Sequence, residues 1–133
     1  MKTKTTFIGI ISALILFVSC SRDTASVVEN RLTSGSWKVT YYYDSDHDQT
    51  SYYSSMEFNF NDNGTVSVSS GSDSYSGTWS TGNDDSKDKL YLTFTSPTVL
   101  VDISDDWVID SESTSKIELR DDNGTDLLTF EKL

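Results

Sequence analysis

The sequence predicts an all-β domain, with about eight antiparallel strands following one another in an up-and-down meander and closing into a barrel. Three observations carry that prediction. From Gly35 almost to the end, apolar residues recur with period 2, the pattern of a sheet with one buried and one wet face. Turn-forming clusters break the pattern at intervals of roughly 8–12 residues, as in sandwiches and barrels. The connections are short, which leaves no room for helical crossovers and makes neighbours in sequence neighbours in space.

Before the strands comes a leader. Lys2 and Lys4 precede an uncharged, largely apolar run from Phe7 to Val18, closed by Leu16-Phe17-Val18-Ser19-Cys20. A basic start, a short apolar run and a small residue before the cut are what secretion requires. The run is too short to span a bilayer, which takes roughly 20 residues. Small Ser19 directly before the chain's one cysteine resembles a bacterial lipobox. That resemblance implies a lipoprotein signal peptide over 1–19 and a lipidated, palmitate-bearing Cys20 at the mature N-terminus. It also implies anchoring in a Gram-negative cell envelope, and Ser21 after Cys20 is compatible with sorting to the outer membrane. Several acyl chains hold a protein stably, where one holds it only marginally. Residues 20–33 then read as lipidated cysteine and tether, able to reach about 40 Å if extended. Val28 and Leu32 lie one helical turn apart, so a short amphipathic turn can pack under the domain.

The barrel occupies 34–133. Trp37, Val39 and Tyr41 alternate with Lys38, Thr40 and Tyr42, which sends Tyr41 inward and Tyr42 outward. Met56, Phe58 and Phe60 form the next apolar phase, followed by Val66 and Val68. Tyr75 and Trp79 share a phase with Gly77, and Leu90, Leu92 and Phe94 follow. Trp107 with Ile109, Ile117 with Leu119, and Leu128 with Phe130 complete the set. Asp62-Asn63-Gly64-Thr65 and Asp122-Asn123-Gly124-Thr125 predict type I′ hairpin turns, because Asn and Gly accept two positive φ angles most readily. Gly71-Ser72-Asp73 supplies another tight reversal. Pro97 breaks the chain before Val99–Ile103, which reads either as an extra strand or as a loop packed over a barrel end.

Gly35-Ser36-Trp37 at the start of the first strand resembles the Gly-x-Trp of lipocalins. Phe58-x-Phe60 with its Asn-Gly-Thr turn, Gly77-Thr78-Trp79, Trp107-Val108-Ile109 and the closing Leu128-x-Phe130 resemble small bacterial lipoproteins with lipocalin-like domains. The resemblance implies a lipocalin-like barrel that binds a small apolar or amphipathic ligand, or a partner, at its open mouth. The chain departs from the animal members in lacking their disulfide cysteines and the conserved arginine after the last strand. A barrel of eight strands is equally able to be filled by its own side chains, which makes it an interaction module of the envelope.

Of the chain's 133 residues, removing 19 leaves 114, enough for one domain with one core. Two of the 10 Lys and Arg lie in the leader, so 8 remain against 21 Asp and Glu, a formal charge of −13. A field of that sign repels nucleic acid and favours solubility. The expected state is a monomer held to the membrane by its N-terminal lipid, with a small apolar molecule or an envelope protein as partner.

Asp44-Ser45-Asp46-His47-Asp48 begins like a calcium loop, but Gln49 stands where the helix–loop–helix site needs Gly and Ser55 where it needs Glu. Asp44, Asp46 and Asp48 are therefore candidates only for a looser Ca2+ site, beside the ordinary reading of a solvated hairpin tip. No other cofactor is expected. A single histidine is too little for zinc, and no serine sits in a nucleophile elbow, so no enzyme is expected. Tyr41-Tyr42-Tyr43 and Tyr52-Tyr53 flank the acidic loop, and Tyr42, Tyr43, Tyr52 and Tyr53 are expected to ring the barrel mouth. The candidate ligand-binding residues are Trp37, Tyr41, Tyr43, Tyr52, Tyr53, Phe58, Trp79 and Trp107.

Overall fold

The computed structural model describes residues 23–133; the expected signal peptide and Cys20 lie outside them. A nine-residue helix α1 (Thr24–Leu32) leads into nine strands: β1 (Ser36–Asp44), β2 (His47–Asp48), β3 (Met56–Phe60), β4 (Thr65–Ser70), β5 (Asp73–Asp84), β6 (Lys87–Thr93), β7 (Asp106–Glu112), β8 (Lys116–Arg120) and β9 (Leu127–Lys132). A 3-10 turn (Thr50–Tyr53) follows β2, and a helical turn α2 (Thr98–Val101) joins β6 to β7. Every pairing is antiparallel; β3 to β9 pair in chain order, and β1 pairs with β2, β3 and β9. Leaving aside two-residue β2, eight strands close into an up-and-down barrel.

Closure is uneven. Six residue pairs join β1 to β9, but only Ser36↔Asn59 and Trp37↔Phe58 join β1 to β3. The chain splays these two strands by inserting β2 and the 3-10 turn. That insertion satisfies the backbone it displaces: Tyr42 N donates to Thr50 Oγ1 at 2.9 Å, and Gln49 N to Tyr42 O at 2.8 Å.

The interior follows the predicted phase almost throughout. Trp37, Phe58, Val66, Leu90, Ile117, Leu128 and Phe130 are completely buried. Phe130 stands edge-on to Phe58 and Phe60, with ring centroids 5.2 and 5.6 Å apart, and Phe60 meets Trp79 at 5.5 Å. Such edge contacts add to the burial of the rings themselves. Gly77 holds the apolar phase without a side chain for a reason of space. A Cβ there would lie 2.5 Å from Thr93 O and 2.6 Å from Phe94 Cδ1.

The two barrel ends are closed differently. An up-and-down path puts α1, which enters β1, and α2, which leaves β6, at opposite ends. Asp23 caps α1 by accepting from Ala25 N at 3.1 Å. The helix buries Ala25, Val28 and Leu32, and Leu32 O accepts from Trp37 Nε1 at 3.1 Å. Arg31 is ion-paired with Glu112. Most of the expected tether is therefore docked helix. At the other end, Val99–Ile103 is neither strand nor plain loop. It is the α2 turn packed into the barrel mouth, with Leu100 and Ile103 fully buried.

Two sequence expectations need correction. Tyr42 points inward, 1% exposed, and Tyr41 outward, the reverse of the strict alternation. Between Val39 and Tyr41 the ladder slips by one residue. Thr40 is the extra residue of a bulge, and one extra residue moves every later side chain to the other face. The turn types also differ. In the Asn-Gly loops only Gly64 and Gly124 have positive φ, so neither loop is type I′. Gly64 N donates to Asn61 O, and Asn61 N to Thr65 O, as in a three-residue loop with glycine in the left-handed position. The paired positive φ angles occur instead at Ser45-Asp46 and Asp85-Ser86. Each is a two-residue loop, closing Asp44↔His47 and Asp84↔Lys87.

Truncating a large buried aromatic costs about 3–5 kcal/mol, so Trp37→Ala is expected to lower the urea midpoint strongly. Lys38→Ala, on the exposed face, should change stability by no more than about 0.5 kcal/mol. Gly77→Ala should cost roughly 1–3 kcal/mol by overpacking against Phe94. Equal midpoints for Trp37→Ala and Lys38→Ala would contradict the packing described.

Candidate functional site

The expected tyrosine ring at the mouth divides into an inner and an outer set. Tyr42 and Tyr53, each 1% exposed, turn into the barrel and meet edge-on at 5.5 Å. Tyr42 O–H donates to Asp102 O at 2.9 Å, and Tyr53 O–H to Val99 O at 2.6 Å. Trp107 Nε1–H donates to Ile103 O at 2.9 Å. Three inward rings thus hold the α2 segment by its carbonyls. Burial foremost raises both phenol pKa values far above the ordinary tyrosine range, followed by nearby carboxylates for Tyr42 and by Tyr42 and then carboxylates for Tyr53. Both hydroxyls stay protonated and remain donors.

The outer set is Tyr41, Tyr43 and Tyr52. Tyr41 and Tyr43 stack along the outside of β1, their ring planes 12° apart and centroids 6.3 Å apart. Tyr41 borders a surface recess of about 260 Å³ with Asp110, Glu118, Leu119, Leu127 and Thr129. Tyr52 projects from the 3-10 turn, 65% exposed. Of the other ligand-binding candidates, Trp37, Phe58, Trp79 and Trp107 belong to the packed interior. Trp79 Nε1–H is itself bonded to Asn61 O at 3.0 Å. The eight candidates therefore do not meet around one shared space.

The acidic loop is a tight hairpin. Ser45 N donates to Asp126 Oδ1 at 3.1 Å, tying the loop to the β8–β9 connection. Asp48 Oδ1 accepts from Thr50 N at 2.9 Å, and hydrogen bonding from Thr50 lowers its pKa. Asp44, Asp46 and Asp48 do not converge. Among the described residues no three His, Cys, Asp or Glu side chains are grouped to hold a metal ion.

Sequence periodicity gave no warning of the Lys89 cluster. Lys89 alternates with inward Leu90 and so lies on the outer face, yet it is only 2% exposed. Its ammonium lies 3.1 Å from Asp122, 3.3 Å from Asp106 and 3.8 Å from Asp84. Asp122 also pairs with Lys87 at 3.4 Å. The cluster staples the β5–β6 hairpin to β7 and to the β8–β9 loop. Its hydrogen bonds, that of Asp122 foremost, raise the Lys89 pKa. The bond from Lys89 lowers that of Asp122, while Asp106 is lowered first by its bond with Asp105 and then by Lys89. Asp105 next to it goes the other way, raised by burial and then by Asp106.

No family model and no curated protein matches the chain. Among solved structures, the fold is similar to that of a DUF4847 family protein from Bacteroides vulgatus ATCC 8482. The TM-score is 0.57 at 15% identity, over 78% of this chain and 96% of that one. At such identity the likeness concerns the fold alone, and function has to be argued from sites.

The Lys89 cluster gives a pH signature. The lowered carboxylates stabilise the fold above their unfolded pKa, near 3.8, and lose that effect as pH falls through the lower folded values. The raised ammonium stabilises it below 10.5 and loses that effect only as pH climbs past its higher folded value. Lys89→Met should therefore lower Tm by a constant amount from about pH 5 to 10, and the gap to wild type should narrow in stronger acid. A gap independent of pH down to the acid transition would show that the lysine acts by packing alone.

Proposed function

We propose that the chain is a lipid-anchored protein of the bacterial cell envelope whose barrel acts as an interaction module through its outer surface. The observation that carries this reading is the filled interior. Side chains of the chain itself occupy the barrel, and five of their polar groups, from Trp37, Tyr42, Tyr53, Trp79 and Trp107, bond to the chain's own carbonyls. A ligand entering there would have to displace α2 and leave several of those groups unpaired, at about 1–3 kcal/mol each. Of the five tyrosines flanking the acidic loop, Tyr41, Tyr43 and Tyr52 are free to meet a partner. Tyr41 stands beside Asp110 and Glu118, which Arg120 and Lys116 of the chain itself already pair, so this face offers a partner aromatic contact, including to a cation, rather than unpaired charge. The anchor reading rests on the lipobox-like Leu16–Cys20, and no helix of the described residues is long and apolar enough to cross a membrane.

Two experiments test the two halves. Cys20→Ala should yield an uncleaved precursor or a soluble periplasmic species. If it partitions with membranes at unchanged mature size, the anchor reading is wrong. The soluble species should not quench or enhance an apolar fluorescent probe at micromolar concentration. Probe binding that Tyr43→Ser with Tyr52→Ser weakens about tenfold, which is 1.4 kcal/mol, would restore the ligand-binding reading.

A further inference from the structure

The docked helix changes what the anchor does. If the span from Ser21 to Thr33 were extended, the barrel would float freely within about 40 Å of its lipid. Instead Asp23 already caps α1, and the helix is fixed along its length. Val28 and Leu32 are fully buried, Arg31 pairs with Glu112, and Thr81 Oγ1 donates to Glu29 Oε2 at 3.3 Å. Unwinding it would expose those apolar side chains and remove the carbonyl partner of the Trp37 indole. Only three residue steps separate Cys20 from Asp23, a reach of at most about 10–11 Å.

Where that leash attaches is also fixed. Thr24 shares a surface recess with Ser86, Lys87 and Asp88 of the β5–β6 hairpin and with Asp110 and Glu112 of β7. We infer that this short leash sets the orientation of the barrel on the bilayer. The first turn of α1 and the β5–β6 hairpin face the lipid headgroups, and the α2 end, with exposed Tyr52 and Val101, projects away. The inference rests on lipidation of Cys20. Charge does not supply the orientation, because Asp84, Asp85 and Asp88 in the same hairpin repel an anionic surface within a Debye length, about 8–10 Å. The covalent leash holds the face down despite them. Of the aromatic groups proposed above to meet a partner, Tyr52 is thereby presented farthest from the bilayer.

β5 provides a ruler for the test. Ser86 and Ser72 occupy the turns at its two ends, separated by the 12 residues Asp73–Asp84, or roughly 36 Å of strand. With Cys20 acylated, Ser86→Cys and Ser72→Cys each introduce the one free thiol of the mature chain for a fluorescent donor. The lipidated proteins are reconstituted into vesicles of phosphatidylethanolamine and phosphatidylglycerol carrying a headgroup acceptor. Transfer from the Ser86 site should exceed that from the Ser72 site at least about twofold, because a strand tilt of about 40° still leaves roughly 27 Å of that length along the barrel axis. A spacer of twenty Gly and Ser residues inserted before Asp23, with an r.m.s. span of roughly 25 Å, should abolish the difference. Acyl chains on Cys20 by intact mass, together with equal or reversed transfer, overturn the orientation alone. A difference that survives the spacer overturns the leash as its cause. Absence of acyl chains overturns the anchor reading and this inference with it.

Discussion

The inward rings of this barrel carry polar groups that have to be bonded inside the protein, and much of the remaining architecture answers that requirement. An eight-stranded barrel is just wide enough for its own side chains to fill, and here tryptophan, tyrosine and phenylalanine fill it. Rings of that size bring indole N–H and phenol O–H groups into an apolar interior, where an unbonded donor costs more than a bonded one contributes. The strands cannot supply acceptors, because their carbonyls are committed to the ladders. Acceptors have to come from chain ends that are not in strands. Leu32 at the end of α1 serves Trp37, and the carbonyls of Val99, Asp102 and Ile103 serve Tyr53, Tyr42 and Trp107. Both plugs follow from one requirement. Ser104 then fastens the second, its hydroxyl donating to Leu100 O and accepting from Phe94 N.

Much of the fold was legible in the sequence, since period-2 alternation depends only on which side of a pleat each Cα occupies. Phe58, Phe60, Val66, Val68, Leu90, Leu92 and Phe130 fell on the expected face for that reason. The failures share a cause as well. A bulge carries no composition signal, and nothing about Thr40 marks it as the extra residue that exchanges Tyr41 and Tyr42. Turn type was misread because the left-handed conformation was assigned to the residues that tolerate it best. The hairpins that need it at two consecutive positions use Ser45-Asp46 and Asp85-Ser86, which strand register imposes. Lys89 shows the same limit in another form. Alternation put it correctly on the outer face, but it is buried among Asp84 of its own hairpin and Asp106 and Asp122 from β7 and the β8–β9 loop, far off in sequence.

The site was less legible than the fold. Clustering of tyrosines around an acidic loop was visible, and so was their position at one barrel end. Which of them point inward depended on the bulge and on the 3-10 turn, neither of which leaves a periodic trace. The carboxylate spacing in Asp44–Asp48 looks like a chelating pattern, but the segment folds as a two-residue hairpin turn, and its three carboxylates are not grouped as a metal site would need. Asp48 is bonded to Thr50, and the loop itself is held by Asp126 from the next turn around the barrel rim.

Separating residues that hold the barrel together from residues that do not narrows where function resides. Trp37, Tyr42, Tyr53 and Trp107 support the plugs, so altering them disturbs the fold before it touches any partner. Tyr52 carries 65% of its surface into solvent from a turn whose neighbour Tyr53 does the packing. Val101, 42% exposed, stands on the same α2 turn that buries Leu100. An exposed large ring and an exposed valine beside a plug are not required by the interior. Both sit at the end opposite α1, where Asp44, Asp102, Asp105 and Asp126 lie close enough to act on the Tyr42 phenol. Apolar contact area inside an acidic surround gives a partner affinity through the former and selectivity for positive charge through the latter. On the proposed reading, that combination makes the α2 end of the barrel, outside its filled mouth, the surface on which a partner would be sought first.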